Sequence, residues 1–136
     1  MNLIINTCDN KTVKLILAKS QTDFKVKNIT SDKKQSEMLL TGIDDFLKKN
    51  KIKIKSLKGI GVVNGPAGFS SVRLGVVCAN TLAYALNLPV ASIELSEFKN
   101  DDDLVKKIFL KILKTKPGRM VLPAYNGEPN ITVSKK

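Results

Sequence analysis

The sequence predicts an α/β domain built on a mixed five-stranded sheet, and three observations predict it. Apolar runs and alternating segments in the first thirty residues read as three strands joined by tight turns. The spacing of apolar residues then changes from two to three and four. After that change, helical and strand-like segments alternate, the pattern of parallel crossover units. At 136 residues the chain holds one domain with a real core but hardly two.

Leu3 to Thr7 is a short apolar run, read as a buried strand. Asp9-Asn10-Lys11 is a turn signal. In the next strand, Thr12 to Ala18, Val13, Leu15 and Leu17 alternate against Lys14 and Ile16. Ser20 to Asp23 turns the chain again, and Phe24, Val26 and Asn28 alternate with Lys25 and Lys27. Ser31-Asp32 offers an N-cap for a helix over Lys33–Asn50, with Leu39, Leu40, Ile43, Phe46 and Leu47 on one face. Gly59 to Val63 is a wholly apolar fourth strand. A glycine-rich loop leads to a second helix, Ser70 to Leu86, and Pro89 to Ile93 is a fifth strand. Asp101 to Lys114 is a third helix, acidic at its start and basic at its end, as the helix dipole favours. The order β-β-β-α-β-α-β is the ribonuclease H-like arrangement. Residues 1–95 are expected to form that lobe, and residues 96–136 a remnant of one helix and a tail, too short for a second lobe.

The formal net charge is +11, which opens the question of nucleic acid. Only Arg73 and Arg119 are arginines, and the lysines are spread along the chain with many Asn and Ile, as an AT-rich genome also produces. Two Tyr, five Phe and no Trp offer few stacking platforms. The chain has no histidine, which excludes Ser-His and Cys-His nucleophilic sites and HExxH zinc sites. Cys8 and Cys78 stand in different segments among small or apolar residues and read as buried free thiols. No apolar run is long enough to span a bilayer, and the amino terminus lacks the pattern of a signal peptide. The expectation is a cytoplasmic protein with no membrane partner.

Gly65-Pro66-Ala67-Gly68-Phe69-Ser70-Ser71-Val72-Arg73-Leu74-Gly75 is the most informative segment. Its glycines permit backbone conformations that a Cβ forbids, and it runs straight into a helix. That fits a tight strand-to-helix connection or an anion cradle at the helix start, but no Lys stands in the Walker position. In the helix, Ser71, Gly75, Ala79 and Ala83 recur every four residues. Such a stripe admits close approach by another helix, either the chain's own first helix or a partner's. With Val77, Thr81 and Leu88 assigned to the sheet, the small stripe is expected to meet a partner helix.

These residues resemble the TsaB (YeaZ) family, whose signature is close to G-P-G-S-F-T-G-[LV]-R-[IL]-G. Gly65, Pro66, Phe69, Arg73 and Gly75 match it, while Ala67, Gly68 and Ser71 stand where the family has Gly, Ser and Gly. Leu88-Pro89-Val90 matches the strand that follows. Gln35-Ser36-Glu37 resembles the family's H-S-E at the start of the first helix, with the histidine replaced, and Asn6-Thr7-Cys8 resembles its first-strand D-T-S. Leu122-Pro123-Ala124-Tyr125 and Glu128-Pro129 resemble its closing P-x-Y-x-R-x-P. The resemblance implies the first lobe of the actin-like ATPase (ASKHA) superfamily with a truncated second lobe. It implies a non-catalytic subunit, without cofactor or metal, of the complex that makes threonylcarbamoyladenosine in tRNA. The implied partners are a TsaD-like paralogue, bound as a heterodimer, and a TsaE-like ATPase; tRNA is met indirectly, and the chain pairs with itself when alone. The expected interface comprises Gln35, Ser36, Leu39, Leu40 and Ile43 of the first helix and Ser71, Gly75, Ala79 and Ala83 of the second. The signature loop is Gly65, Pro66, Gly68, Phe69 and Arg73. Arg73 anchors the interface, caps the loop or pairs with Glu37 or Asp44.

A ribonuclease H-type nuclease gathers carboxylates around metal ions, but Asn6 and Asn64 stand at the strand ends and only Glu37 remains of such a set. The alternative to an interaction subunit is a stand-alone basic module for RNA or nucleotide.

Overall fold

Continuous apolar runs make strands that must be covered on both faces, and the wholly apolar run Gly59–Val63 takes an interior place in the sheet. The structure, a computed structural model, describes residues 1–9, 11–30 and 35–124, with only the backbone of Phe69 and Ser70. Strand β1 (Asn2–Asn6) pairs antiparallel with β2 (Thr12–Ala18), and β2 pairs antiparallel with β3 (Phe24–Thr30). Helix α1 (Gln35–Lys49) leads through a 3-10 turn at Ile54–Ser56 to β4 (Gly59–Val63), which lies parallel to β1. Helix α2 (Phe69–Leu86) returns the chain to β5 (Val90–Ile93), parallel to β4. The sheet order is β3-β2-β1-β4-β5, the mixed five-stranded arrangement that the element order predicts.

Alternation along the strands divides the core in two. Leu3, Ile5, Leu15, Leu17, Ile60 and Val62 face α1 and α2. Ile4, Ile16, Ala91 and Ile93 face helix α3 (Asp101–Leu113), which contributes Leu104, Val105, Ile108 and Ile112. The Asn100 side chain caps α3 by accepting from the Asp103 N–H at 2.8 Å, one of the donors that a helix start leaves unpaired.

The element order holds, with two differences. β3 continues to Thr30, two residues beyond the expected end. The 3-10 turns at Ile54–Ser56 and Leu95–Glu97 are too short to leave a periodic signal. The expected N-cap at Ser31-Asp32 lies outside the described residues. After β5, the described chain holds that second turn, α3 and an irregular run to residue 124. No described helix is long and apolar enough to cross a membrane.

Candidate functional site

The signature loop joins β4 to α2 and is held from outside by the chain's own later segment. The Gly65–Pro66 peptide is cis, and Gly65 has a φ of +116°, a region that favours glycine. A Cβ at Gly65 would collide with the Ala124 carbonyl oxygen. The Ala124 N–H donates to the Asn64 carbonyl at 2.7 Å, and Asn64 Nδ2 donates to the Leu122 carbonyl at 2.8 Å. Asn80 of α2 grips the same segment twice: Nδ2 donates to the Val121 carbonyl, and Oδ1 accepts from the Val121 N–H, both at 3.0 Å. Residues 121–124 thus fasten the end of β4 to the middle of α2. The resemblance picked out Leu122–Ala124 without saying what they touch, and Tyr125, Glu128 and Pro129 lie outside the described residues. Asn80, a polar residue directly after the apolar run Leu74–Ala79, was the available sign of the clamp.

The small stripe of α2 corrects the sequence reading. Ser71, Gly75, Ala79 and Ala83 are all buried, Ala79 completely, and they turn inward. Gly75 packs on the end of β1, where a Cβ would lie 2.5 Å from Thr7 Oγ1. Thr7 Oγ1 in turn donates to the Ser71 carbonyl at 2.5 Å. Small side chains here bring the helix axis close to the sheet. Two of the three residues assigned to the sheet face outward instead, Val77 with 53% of its surface exposed and Thr81, while Leu88 is half-buried against the core.

Helix α1 divides in the same way. Leu39 and Ile43 are core residues beneath it, not interface residues. Gln35 is half-buried, and its Nε2 donates to the carbonyls of Asp9 at 2.6 Å, Thr12 at 3.2 Å and Thr7 at 3.4 Å. It braces the β1–β2 hairpin. Ser36 and Leu40 remain on the outer face, Leu40 with 66% of its surface exposed. On α2 the corresponding outer residues are Arg73, Val77, Thr81 and Tyr84, the last 89% exposed. α1 and α2 lie side by side on one face of the sheet. Their outer surface therefore presents Leu40, Val77 and Tyr84 to solvent.

At the carboxyl ends of β1 and β4, a cleft of about 490 Å³ is lined by Asn6, Cys8, Asp9, Thr12, Lys14 and Asn28, with Leu95 at one side. Asp9 is its one carboxylate. Lys14 is committed to Asp101 at 2.9 Å. Glu37 is exposed and lines a different groove, of about 520 Å³, between β3 and α1. Among the described residues no three His, Cys, Asp or Glu side chains gather as a metal site. Cys8 Sγ donates to the Val63 carbonyl at 3.5 Å. Burial pushes its thiol up to about 11, against the opposing pull of the Gly65 backbone. Burial also pushes Cys78 up to about 11. Both thiols stay protonated at neutral pH and are poor nucleophiles.

Residues 27–97, from β3 to just past β5, match the family model of TsaD, tRNA N6-adenosine threonylcarbamoyltransferase. The chain belongs to that family. A 63-residue stretch is 32% identical to the tRNA N6-adenosine threonylcarbamoyltransferase of Geotalea daltonii, covering 46% of this chain and 18% of that protein. A longer stretch of 114 residues is 25% identical to the tRNA threonylcarbamoyladenosine biosynthesis protein TsaB of Bacillus subtilis, covering 80% of this chain and 50% of that protein. Two solved structures from Pseudomonas aeruginosa superpose on the fold, each with a TM-score of 0.62 and 20% identity over 68% of this chain. One is YeaZ, covered over 43% of its length; the other, covered over 42%, is described as similar to the peptidase YeaZ. The TsaB (YeaZ) resemblance carried by the signature loop is borne out, as is the actin-like fold class. The chain spans about half the length of the TsaB protein it matches.

Proposed function

We propose that this chain is a non-catalytic subunit of the machinery that makes N6-threonylcarbamoyladenosine in tRNA, and that it binds and supports a TsaD-like transferase. The observation that carries this reading is the outer surface of α1 and α2. It exposes Leu40, Val77 and Tyr84 within the very segment that matches the family model. Exposed apolar side chains grouped on one face mark a place for another protein. The paralogue packs its own helices there, and residues 1–95 act as the binding lobe. A TsaE-like ATPase joins through the paralogue, and two copies of this chain share the same face when the paralogue is absent. The transfer chemistry belongs to the partner: the cleft beyond β1 is lined by Asn6 and Asn28 with Asp9 as its one carboxylate, and its thiol is protonated. Binding energy spent on one conformation of the partner stabilises that conformation by mass action.

Reconstitution tests the reading. The threonylcarbamoyl-adenylate synthase, the paralogue, the ATPase, tRNA, threonine, bicarbonate and ATP are combined with and without this chain. Product should form only with it. Full formation in its absence, at equal stability of the paralogue, overturns the reading.

A further inference from the structure

Genomic bias towards lysine scatters charge over a surface, but this fold gathers it at one end. Asn2 at the start of β1 pairs with Ala18 at the end of β2 and with Gly59 at the start of β4. Ala18 pairs with Phe24 at the start of β3. This end of the sheet therefore receives the β2–β3 turn and the connection from α1 to β4. It also receives the last turn of α3, since a Cβ on Gly59 would lie 2.5 Å from Ile112. A cleft of about 280 Å³ lined by Met1, Leu17, Lys19, Lys25, Asn50 and Ile52 records how closely these segments meet. The Lys58 N–H donates to the Met1 carbonyl at 2.8 Å. Burial, with the Lys58 charge adding to it, lowers the pKa of the Met1 amino group.

Six lysines fall within residues 48–58 with no acid among them. Lys19 and Lys25 flank them on the β2–β3 side, and Lys114, Lys116 and Arg119 flank them on the α3 side. Among the described residues this pole carries these eleven basic side chains against Asp23, Asp44 and Asp45, a balance of eight positive charges. The rest of the described chain carries eight basic against seven acidic residues. Ion pairing follows the same division. Lys14–Asp101 and Lys107–Asp103 lie away from the pole, Lys111 of the last α3 turn is committed to Glu97 and the Ser92 carbonyl, and Lys48–Asp44 lies on the pole. Lys53, Lys55 and Lys58 are exposed and lack a carboxylate within ion-pair reach among the described residues.

We infer that this pole is a contact surface for the phosphate backbone of RNA, and that the subunit touches tRNA directly. The inference rests on the proposed role in tRNA modification for the identity of the RNA, but the surface stands on its own geometry. Five strands spaced about 4.8 Å apart make the pole about 20 Å wide, enough to meet several phosphates at once. Lysine ammonium groups are point charges suited to phosphate, without the planar fork that reads bases. Backbone contacts position an RNA, while its sequence is read by other groups. Ile54, 39% exposed, is the one large apolar side chain exposed on the α1–β4 connection, while Leu113 and Met120 are exposed on the α3 side, so the lysine-rich connection is the part of the pole that fits phosphate best.

The test uses the whole chain and an unmodified tRNA transcript, with affinity measured by fluorescence anisotropy at several salt concentrations. Lys53→Glu, Lys55→Glu and Lys58→Glu are combined in one variant, and Lys114→Glu and Lys116→Glu in a second. Lys11→Glu, Lys99→Glu and Lys106→Glu form a control that removes as much charge as the first variant, elsewhere on the surface. The first variant should lose at least tenfold in affinity and flatten the log–log salt slope by about 2. The second should lose about half as much in logarithmic terms, and the control less than threefold. An equal loss in the control, or no loss in either pole variant, overturns the inference. Phosphatidylglycerol vesicles bound more tightly than tRNA through the same lysines would also overturn it, in favour of a membrane. Pairing with the TsaD-like paralogue is measured on the same variants and should be unchanged. Failure of the parent to pair would count against the proposed function alone, while the tRNA readings would still decide the pole.

Discussion

The two sides of α2 carry residues of opposite character, and each does the reverse of what its size suggests. The small side, Ser71, Gly75, Ala79 and Ala83, is buried on the sheet. The larger side chains of Val77 and Tyr84 face water. A small-residue stripe states that something approaches closely; it does not state what. In a membrane helix the answer is another helix, whereas here it is the end of β1, with Gly75 against Thr7. The docking surface is marked by the apolar bulk that the fold leaves uncovered.

This contrast can be broken most forcefully on the inner side. Ala79→Leu forces three further carbons into a fully buried site and should cost about 3 kcal/mol of folding stability, read by urea denaturation. A loss below about 0.5 kcal/mol would mean that the stripe is not packed on the sheet. The inner side also carries Cys78, whose thiol burial raises from 9.0 to about 11. The fold favours the neutral thiol, so its contribution is complete below pH 9 and lost as pH rises through 11. The loss is up to about 2.7 kcal/mol, and Cys78→Ala should flatten stability across that window. On the outer side, Leu40→Asp and Tyr84→Asp should each weaken pairing with the paralogue 10- to 100-fold, about 1.4–2.7 kcal/mol. Folding stability should move by less than about 0.5 kcal/mol, and calorimetric titration beside a melting curve separates the two. The smallest effect is expected at the edge of α2, where Asn80→Ala removes both bonds to Val121. About 1–2 kcal/mol should go, together with hydrogen-exchange protection at Val121 and Ala124.

Most of the fold was legible because strand and helix periods are local. Gly59–Val63 could only be a strand covered on both faces, and α1 announced most of its buried side through Leu39, Ile43, Phe46 and Leu47. The site was less legible because it depends on orientation and on contacts distant in sequence. Gln35 was placed on the first helix but assigned to a partner, when its amide braces the hairpin of its own chain. Leu39 and Ile43 belong to the same periodic face as Leu40, and periodicity alone does not decide which member the sheet leaves outside. The lysines of residues 48–58 stand close together in the sequence. Their union with Lys19 and Lys114 exists only once the strands are paired.

The four-residue stretch Val121–Ala124 is the molecule's mechanical link. It is tied to the strand end through Asn64 and to the helix middle through Asn80. Tension on the chain beyond it is therefore delivered to the end of β4 and the middle of α2 together. The loop cannot shift while the stretch stays seated, because Gly65 has Ala124 against it. Peeling the stretch away would strip the Asn64 and Asn80 side-chain amides of their partners while the sheet beneath kept its own bonds. A pull on the carboxyl-terminal side would thus be felt at the start and middle of the helix that shows Val77 and Tyr84 to a partner.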